Sequence, residues 1–368
     1  MVERDLVLGA TRAGGAGGTG TLPVDDMLLE IKGLKTHFFL DEGVVKAVDG
    51  VDLSIRRGRT LCIVGESGCG KSITARSILQ IVSPPGRVVE GEILFHRRRA
   101  GEGQAGQAGE TIDLAALHPR GAPIRAIRGK DIAMIFQEPM TSLGPVHTIG
   151  NQIIEGIRLH LPVTKDEARA RAIEVLRRVG IPRPEQRIDS YPFQLSGGMR
   201  QRAMIAMALA CEPVLLIADE PTTALDVTTQ AQILDLTREL QRDMGMAIML
   251  ITHDLGVVAE VADDVAVMYL GTVAEQGNVD AIFHAPKHPY TQALLRSIPK
   301  LGTVKGEQLA TIRGIVPDPY NRPVGCPYHT RCDAFMPGKC DRIIPPPVAV
   351  DGQVVRCLLY GGEDGAAE

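Results

Sequence analysis

A glycine-rich octapeptide at residues 65–72 has the spacing of a phosphate-binding loop. It reads Gly-Glu-Ser-Gly-Cys-Gly-Lys-Ser and fits the pattern G-x-x-x-x-G-K-[ST]. The glycines let several backbone N–H groups point at one phosphate, at the positive end of the following helix. Lys71 would supply charge to the β- and γ-phosphates, and the Ser72 hydroxyl would reach Mg²⁺. The loop therefore predicts a nucleoside triphosphate site, and the alternative is a glycine-rich turn. The residues expected to contact phosphate are Gly65, Glu66, Ser67, Gly68, Cys69, Gly70, Lys71, Ser72 and Ile73.

Two acidic residues end an apolar run at residues 214–218. Asp219 can hold the metal through water, and Glu220 can orient or deprotonate a water that attacks the γ-phosphate. In isolation, such a pair could be a solvated turn. Together with the phosphate loop it predicts hydrolysis of the nucleotide.

A second glycine-serine segment opens the predicted helix that precedes the acidic strand. Its residues are Leu195, Ser196, Gly197, Gly198 and Met199. Such a segment is another anion-binding nest. Because the chain has two nests and one phosphate loop, we expect the second nest to serve the nucleotide of another subunit.

Two polar side chains follow short apolar runs that we predict to be buried strands. Gln137 follows residues 132–136, and His253 follows residues 247–251. Ligands of open α/β sheets collect at the carboxyl ends of parallel strands. Both side chains are therefore candidates for the same site, with a capping or loop role as the alternative.

The elements that must position these residues alternate along the chain. Apolar runs such as residues 60–64 predict buried parallel strands, and helices are expected near residues 198–210 and 227–242. Thr164 and Glu167 have the spacing of a helix-opening capping box. This alternation predicts an α/β protein with a parallel core.

Composition changes along the chain suggest its division into parts. Residues 1–26 are poor in apolar side chains and are expected to be disordered, and residues 27–276 should form the nucleotide-binding domain. A helical subdomain is expected at about 140–212 and a separate Pro-rich extension at 277–368. The polar insertion at residues 95–124 is expected to be a flexible surface loop.

Composition and charge exclude several classes of protein. The 368 residues carry 40 Lys and Arg against 44 Asp and Glu, with no long basic block, which argues against nucleic acid as a partner. The longest apolar stretch, at residues 203–211, is far shorter than the ~20 residues that span a bilayer. The N-terminus lacks the apolar core of a signal peptide, so we expect the protein in the cytoplasm.

Four of the seven cysteines lie close together in the last part of the sequence. They are Cys326, Cys332, Cys340 and Cys357. Four thiolates suit tetrahedral zinc or a [4Fe–4S] cluster, and the paired C-x₂-C spacing typical of structural zinc is missing. Free thiols are the third possibility.

In their order along the chain, these motifs resemble those of the ATP-binding subunits of ABC transporters, over about residues 28–300. The resemblance implies a P-loop NTPase cassette with a mixed sheet core, and two cassettes that close head to tail around two ATP molecules. It also implies that Gln137 senses Mg²⁺ and that His253 holds the γ-phosphate and orients Glu220. Asp226 then belongs to the D-loop, and Ser72, Gln137 and Asp219 form the magnesium site. An aromatic residue that stacks on adenine would be Phe38 or Phe39.

Within that family the chain is most similar to the importers of dipeptides and oligopeptides. The similarity lies in residues 132–143, in residues 288–295 and in the cysteine-rich end. It implies a second ATPase subunit, most often a paralogue, two membrane permease subunits and an extracytoplasmic substrate-binding protein, with the ATPase on the cytoplasmic face of the inner membrane. It also favours a [4Fe–4S] cluster over Zn²⁺. Alternatives are a nickel or oligosaccharide importer, or a non-transport ABC ATPase.

Overall fold

The structure, a computed structural model, describes residues 26–98, 109–137, 142–222, 226–298 and 312–361. Some sequence-based predictions lie wholly or partly outside these ranges. They concern the tail at 1–26, the glycine-rich repeat at 101–109, residues 138–141 and the D-loop residues 224 and 225.

Two β-sheets form the centre of the described residues. The strands are β1 Met27–Leu40, β2 Gly43–Arg56, β3 Thr60–Val64, β4 Gly86–Arg97, β5 Glu110–Asp113, β6 Ile132–Ile135, β7 Leu215–Asp219, β8 Ala247–Ile251, β9 Asp264–Tyr269, β10 Thr272–Asn278, β11 Val348–Val350 and β12 Gln353–Val355. The smaller, antiparallel sheet has the order β2-β1-β4-β5, and the larger, mixed sheet has the order β11-β12-β10-β9-β3-β8-β7-β6.

Helices cover the larger sheet and extend beyond it. They are α1 Lys71–Ile78, α2 Ala122–Ile127, α3 Ile149–His160, α4 Lys165–Arg178, α5 Pro184–Arg187, α6 Gly197–Leu209, α7 Val227–Met244, α8 Leu255–Val261, α9 Val279–His284 and α10 Pro289–Arg296. Strands β6, β7, β8, β3 and β9 are mutually parallel, and every residue of β3, β7 and β8 is buried. The predicted α/β fold with a mixed sheet core is therefore confirmed.

The described residues between β6 and β7, from 142 to 214, are mostly helical and pack as a unit. Helices α3, α4 and α6 contact one another through buried apolar side chains. Helix α4 begins at the predicted capping box: Thr164 Oγ1 accepts from the Glu167 N–H at 3.3 Å, and Glu167 Oε2 accepts from the Thr164 N–H at 2.7 Å. In the described ranges no helix is long and apolar enough to cross a bilayer.

The expectation of a flexible loop over residues 95–124 is wrong for its second half. Strand β5 pairs with β4, and helix α2 follows. The Asp113 carboxylate accepts from the N–H groups of Ile93 and Ala115, each at 3.0 Å. A polar strand of four residues lacks the alternation by which longer strands are recognised, so its partner could not be predicted.

The predicted C-terminal extension does not lie apart from the main core in the described residues. Strand β12 pairs with β10, with Glu275 opposite Val355, and thereby adds two strands to the larger sheet. Cys326, Tyr328 and Cys340 belong to the same buried cluster as the main core. Strands of three residues are too short to show a periodic pattern, and β10, the partner of β12, lies about 80 positions earlier in the chain. We refer to residues 312–361 as the cysteine-rich segment.

Candidate nucleotide-binding site

The phosphate loop joins β3 to α1, and its glycines occupy backbone conformations that other residues rarely adopt. Gly65 has φ 150° and Gly70 has φ 102°. A Cβ atom on Gly65 would lie 2.2 Å from the carbonyl oxygen of Met268, and one on Gly70 would lie 2.3 Å from that of Ala47. The loop is therefore packed against its surroundings so closely that these two positions require glycine.

Two side chains at the start of α1 form hydrogen bonds to the phosphate loop and to the end of β7. Lys71 is buried, and its Nζ donates to the carbonyl oxygens of Gly65 and Glu66 at 2.8 and 3.0 Å. Ser72 Oγ donates to Asp219 Oδ1 at 2.8 Å. This hydrogen bond joins the phosphate loop to the end of β7.

Asp219 lies 1% exposed beside that loop. Burial raises the pKa of its carboxyl group, and the hydrogen bond from Ser72 partly opposes this shift. A hydroxyl and a carboxylate are oxygen ligands of the kind that Mg²⁺ prefers, and Mg²⁺ usually completes its coordination with phosphate and water. The two side chains therefore fit a magnesium ion carried by a nucleotide.

The Glu220 carboxylate brings two further motif residues together. Gln137 Nε2 donates to Glu220 Oε2 at 3.0 Å, and His253 Nδ1 lies 3.6 Å from the same oxygen. Glu220 has φ 47°, in the left-handed region, and its N–H donates to the carbonyl oxygen of Ile251 at 3.0 Å. An uncommon backbone conformation at a polar cluster is typical of functional sites.

The glycine-serine segment lies on the surface, at the N-terminus of α6. Ser196 caps the helix by accepting from the Met199 N–H at 3.3 Å; Ser196 and Gly197 are exposed, while Leu195 is buried. A Cβ atom on Gly198 would lie 3.1 Å from Thr229 Cγ2. The exposed N–H groups of this helix start can therefore be reached by an anion from outside the chain.

Asp226 caps the neighbouring helix α7. Its carboxylate accepts from the N–H and the hydroxyl of Thr229 at 3.0 and 2.8 Å. These bonds lower the pKa of Asp226. Since Thr229 also approaches Gly198, Asp226 and the glycine-serine segment share one neighbour.

The two aromatic candidates for adenine stacking lie on adjacent positions of β1 and differ in their environment. The Phe38 ring packs against Gly86, where an added Cβ atom would come within 2.5 Å of it. Phe39 is 40% exposed and has the Arg87 guanidinium 4.5 Å from its ring centroid. Both residues stay candidates.

One contact of the phosphate loop comes from a residue far along the chain. Arg331 forms a bidentate ion pair with the Glu66 carboxylate, with Nη1–Oε2 and Nη2–Oε1 distances of 2.6 and 3.0 Å. The hydroxyl oxygen of Tyr290 accepts from the Glu66 N–H at 3.0 Å. Arg331 lies 265 positions after Glu66, so no local pattern could have predicted this pair.

The four cysteines of the cysteine-rich segment are free thiols near one another. The Cys326 N–H donates to the Cys340 carbonyl oxygen at 2.8 Å. Burial raises the pKa of the Cys326 thiol to about 11; a backbone hydrogen bond at Tyr328 opposes this shift, and the negative charges of Cys357, Cys340 and Cys332 contribute to it. Across the residues that the structure describes, no three His, Cys, Asp or Glu side chains are arranged to hold a metal ion. In this arrangement the thiols do not form a coordination site.

Comparison with known proteins agrees with this geometry. The ABC transporter family matches residues 48–223, and the family described as "Oligopeptide/dipeptide transporter, C-terminal region" matches residues 274–340. The chain is 47% identical over 336 residues to the dipeptide transport ATP-binding protein DppD of Bacillus subtilis, covering 91% of this chain and 95% of that protein. It is 49% identical over 345 residues to the oligopeptide transport ATP-binding protein AppD of the same organism, covering 93% and 99%.

A similar solved structure supports the same assignment. The dimeric structure of MJ0796, a bacterial ABC transporter cassette, superposes with a TM-score of 0.58 at 27% identity, and covers 68% of this chain and 99% of the cassette. The chain therefore belongs to the ABC transporter family, as an ATP-binding protein with the C-terminal region found in oligopeptide and dipeptide transporters.

Proposed function

We propose that this protein is the ATP-hydrolysing subunit of an ABC importer for dipeptides or oligopeptides. The observation that carries the proposal is the convergence of Gln137 and His253 on the Glu220 carboxylate, at the end of the strand that also holds Asp219. The match of residues 274–340 to the oligopeptide/dipeptide C-terminal region supports the transported class.

The contacts suggest a role for each side chain in hydrolysis. Lys71 and the loop N–H groups would bind the β- and γ-phosphates, and Ser72 and Asp219 would hold Mg²⁺, which neutralises phosphate charge. Glu220 would orient the attacking water and accept its proton. Gln137 and His253 would keep that carboxylate in place, and His253 would also contact the γ-phosphate. Phe38 or Phe39 would stack on adenine.

The second nest would complete a nucleotide site on another cassette. Ser196, Gly197 and Gly198 lie at an exposed helix N-terminus, where an incoming γ-phosphate would meet backbone N–H groups. Two ATP molecules shared in this way would close the pair, and hydrolysis would reopen it. The second cassette would be a paralogue, with Asp226 at the contact between the two.

The remaining partners follow from the proposed transport of peptides. Two membrane permease subunits would receive the ATPase on the cytoplasmic face of the inner membrane, and an extracytoplasmic binding protein would deliver the peptide. Purification from membranes, with identification of the bound proteins, tests this assembly. Permease subunits in the complex support it, whereas ribosomes or DNA as the only partners would indicate a non-transport ATPase.

The transported class needs a separate measurement, in vesicles that contain the purified complex. We expect ATP-dependent accumulation of a labelled dipeptide or oligopeptide. Accumulation of nickel or of an oligosaccharide, with none of peptide, would contradict peptide import and would leave the ATPase assignment intact.

We further propose that Cys326, Cys332, Cys340 and Cys357 bind a [4Fe–4S] cluster. The mutual proximity of four buried or half-buried free thiols supports this. Cluster binding would change their arrangement, because no three of them are placed to hold a metal ion in the described residues. Protein purified without oxygen should be brown, contain about four iron atoms per chain and lose them in Cys332→Ser. Stoichiometric zinc in colourless protein, or metal-free thiols, would refute the cluster.

A further inference from the structure

The Arg331 guanidinium is bound to the phosphate loop through Glu66. Its side chain is 3% exposed, and that of its partner Glu66 is 24% exposed. Both of its terminal nitrogens donate to the Glu66 carboxylate, Nη1 also donates to the Tyr269 hydroxyl at 3.3 Å, and Nε donates to the Arg313 carbonyl oxygen at 2.8 Å. With each nitrogen engaged and almost no exposed surface, Arg331 acts on its protein neighbours and cannot itself contact a nucleotide.

Glu66 lies in the part of the phosphate loop that contacts Lys71, so its position affects the lysine contacts. The carbonyl oxygens of Gly65 and Glu66 both accept from Lys71 Nζ, the cation that the loop offers to phosphate. A shift of the Glu66 backbone would therefore displace the lysine contacts as well. Because a bidentate arginine-carboxylate pair fixes direction as well as distance, it is suited to holding such a loop.

The side of Arg331 away from the loop is anchored in the core. The rings of Tyr269, Tyr290 and Tyr328 pack together, with centroid separations of 4.7 to 5.2 Å. Tyr328 lies in the cysteine-rich segment, and its carbonyl oxygen accepts from the Arg331 N–H at 3.0 Å. Tyr290 also accepts from the Glu66 N–H. The segment therefore reaches the phosphate loop through both a charge pair and an aromatic cluster.

We propose that Arg331 is a positioning residue for the phosphate loop, so that the folded cysteine-rich segment sets the affinity of the protein for MgATP. Loss of the guanidinium would leave Glu66 without its partner in a mostly buried place, and the loop would adopt other conformations. The bound fraction of nucleotide would fall because the competent conformation is less populated. The proposal concerns ATP binding and does not depend on which molecule is transported.

Equilibrium binding of MgATP to the full-length chain tests the proposal with three variants. We expect Arg331→Gln to raise the Kd about tenfold, and Glu66→Gln to raise it similarly. The double variant should bind no worse than either single variant, because both remove one interaction. Arg313→Gln is the control: its side chain is 85% exposed and pairs with Asp333, and its carbonyl oxygen is retained, so the Kd should be unchanged.

The direction in which Glu66→Gln changes the Kd for MgATP distinguishes two roles of Glu66. One role is to position the loop through Arg331, and the other is to repel the phosphates directly. A carboxylate near phosphate repels it, so its neutralisation alone would tighten MgATP binding. Weaker binding in Glu66→Gln therefore supports a role through Arg331, and this variant carries the test should Arg331→Gln fail to fold. Three results would each overturn the proposal. They are a wild-type Kd for MgATP in folded Arg331→Gln, a lower Kd in Glu66→Gln, and a double variant in which the losses of affinity add.

Enzyme kinetics of the assembled transporter give a second readout. Arg331→Gln should raise the KM for ATP about tenfold and change kcat by less than about threefold, because the chemistry at Glu220 is untouched. A fall in kcat at unchanged KM would contradict a positioning role in nucleotide binding.

Discussion

Gln137 and Glu220, 83 positions apart in the chain, are joined by a 3.0 Å hydrogen bond from the glutamine amide to the carboxylate. The two residues follow the carboxyl ends of the neighbouring parallel strands β6 and β7. A group that senses Mg²⁺, as the family resemblance implies for Gln137, would in this way act directly on the carboxylate proposed to activate water.

The proposed role of Glu220 in activating water predicts that Glu220→Gln loses ATP turnover. The amide keeps the size of the side chain but cannot accept a proton from water, so ATP should bind normally while turnover falls about 100-fold or more. The closed pair of cassettes should accumulate, as seen by size-exclusion chromatography with ATP. Glu260→Gln, a change in an exposed ion pair, should leave turnover unaltered. Near-normal turnover in Glu220→Gln would remove Glu220 from its proposed role.

Asp219→Asn is expected to have different effects on the stability of the fold and on the rate of ATP hydrolysis. Because burial raises the pKa of Asp219, the folded protein holds this proton more tightly than the unfolded chain does. The contribution of Asp219 to the free energy of unfolding therefore becomes less favourable as the pH rises through its pKa. The neutral amide should leave the Tm at pH 7 unchanged or higher, whereas Mg²⁺-dependent ATP hydrolysis should be lost.

A matched change at an exposed acid checks that interpretation. Asp243→Asn, on the surface of α7, should alter neither the Tm nor the hydrolysis rate by a measurable amount. A marked drop in the Tm of Asp219→Asn, with hydrolysis retained, would show that this carboxylate stabilises the fold and does not hold the metal.

Gly197→Ala tests the second nest with little disturbance of the chain itself. An added Cβ atom at this position meets nothing within 4 Å, so the Tm should change by only a few degrees. The methyl group would, however, lie where a nucleotide from the other cassette is proposed to bind, and we expect ATP hydrolysis by the complex to fall at least tenfold. Hydrolysis at the wild-type rate would contradict a role for this helix start in a shared site.

Thr164→Ala should destabilise the fold at a position remote from the nucleotide-binding site. Loss of the capping box at α4 should lower the free energy of unfolding by about 1 kcal/mol. Chemical denaturation measures the change, and the Kd for MgATP should stay constant. A shifted Kd would show that the helical part of the chain is coupled to the nucleotide site more tightly than these contacts indicate.

The nucleotide motifs were predictable because each is local. Residues 60–64 and 247–251 are strands with the predicted bounds, and the helix predicted at 198–210 is found one residue earlier. Short apolar runs next to glycine or acidic residues determine these elements without help from distant partners. The approach of Gln137 and His253 to Glu220 follows from parallel strands ending at one edge.

The contacts of the cysteine-rich segment could not be predicted in the same way. The β12 pairing and the Arg331–Glu66 pair join residues that are about 80 and 265 positions apart. The rings of the tyrosine cluster are 21 to 59 positions apart, and none of these contacts has a periodic pattern. A proline-rich composition hides such short strands, so the sequence alone suggested a separate extension. Tertiary packing decides where this part of the chain lies.

The central claim is that each nucleotide site is shared by two cassettes, and dilution tests it most directly. The rate of ATP hydrolysis per molecule should be near zero for the isolated chain at concentrations where it is monomeric, and should rise when the partner cassette is added. Hydrolysis by the dilute monomer at the rate of the assembled transporter would contradict the claim.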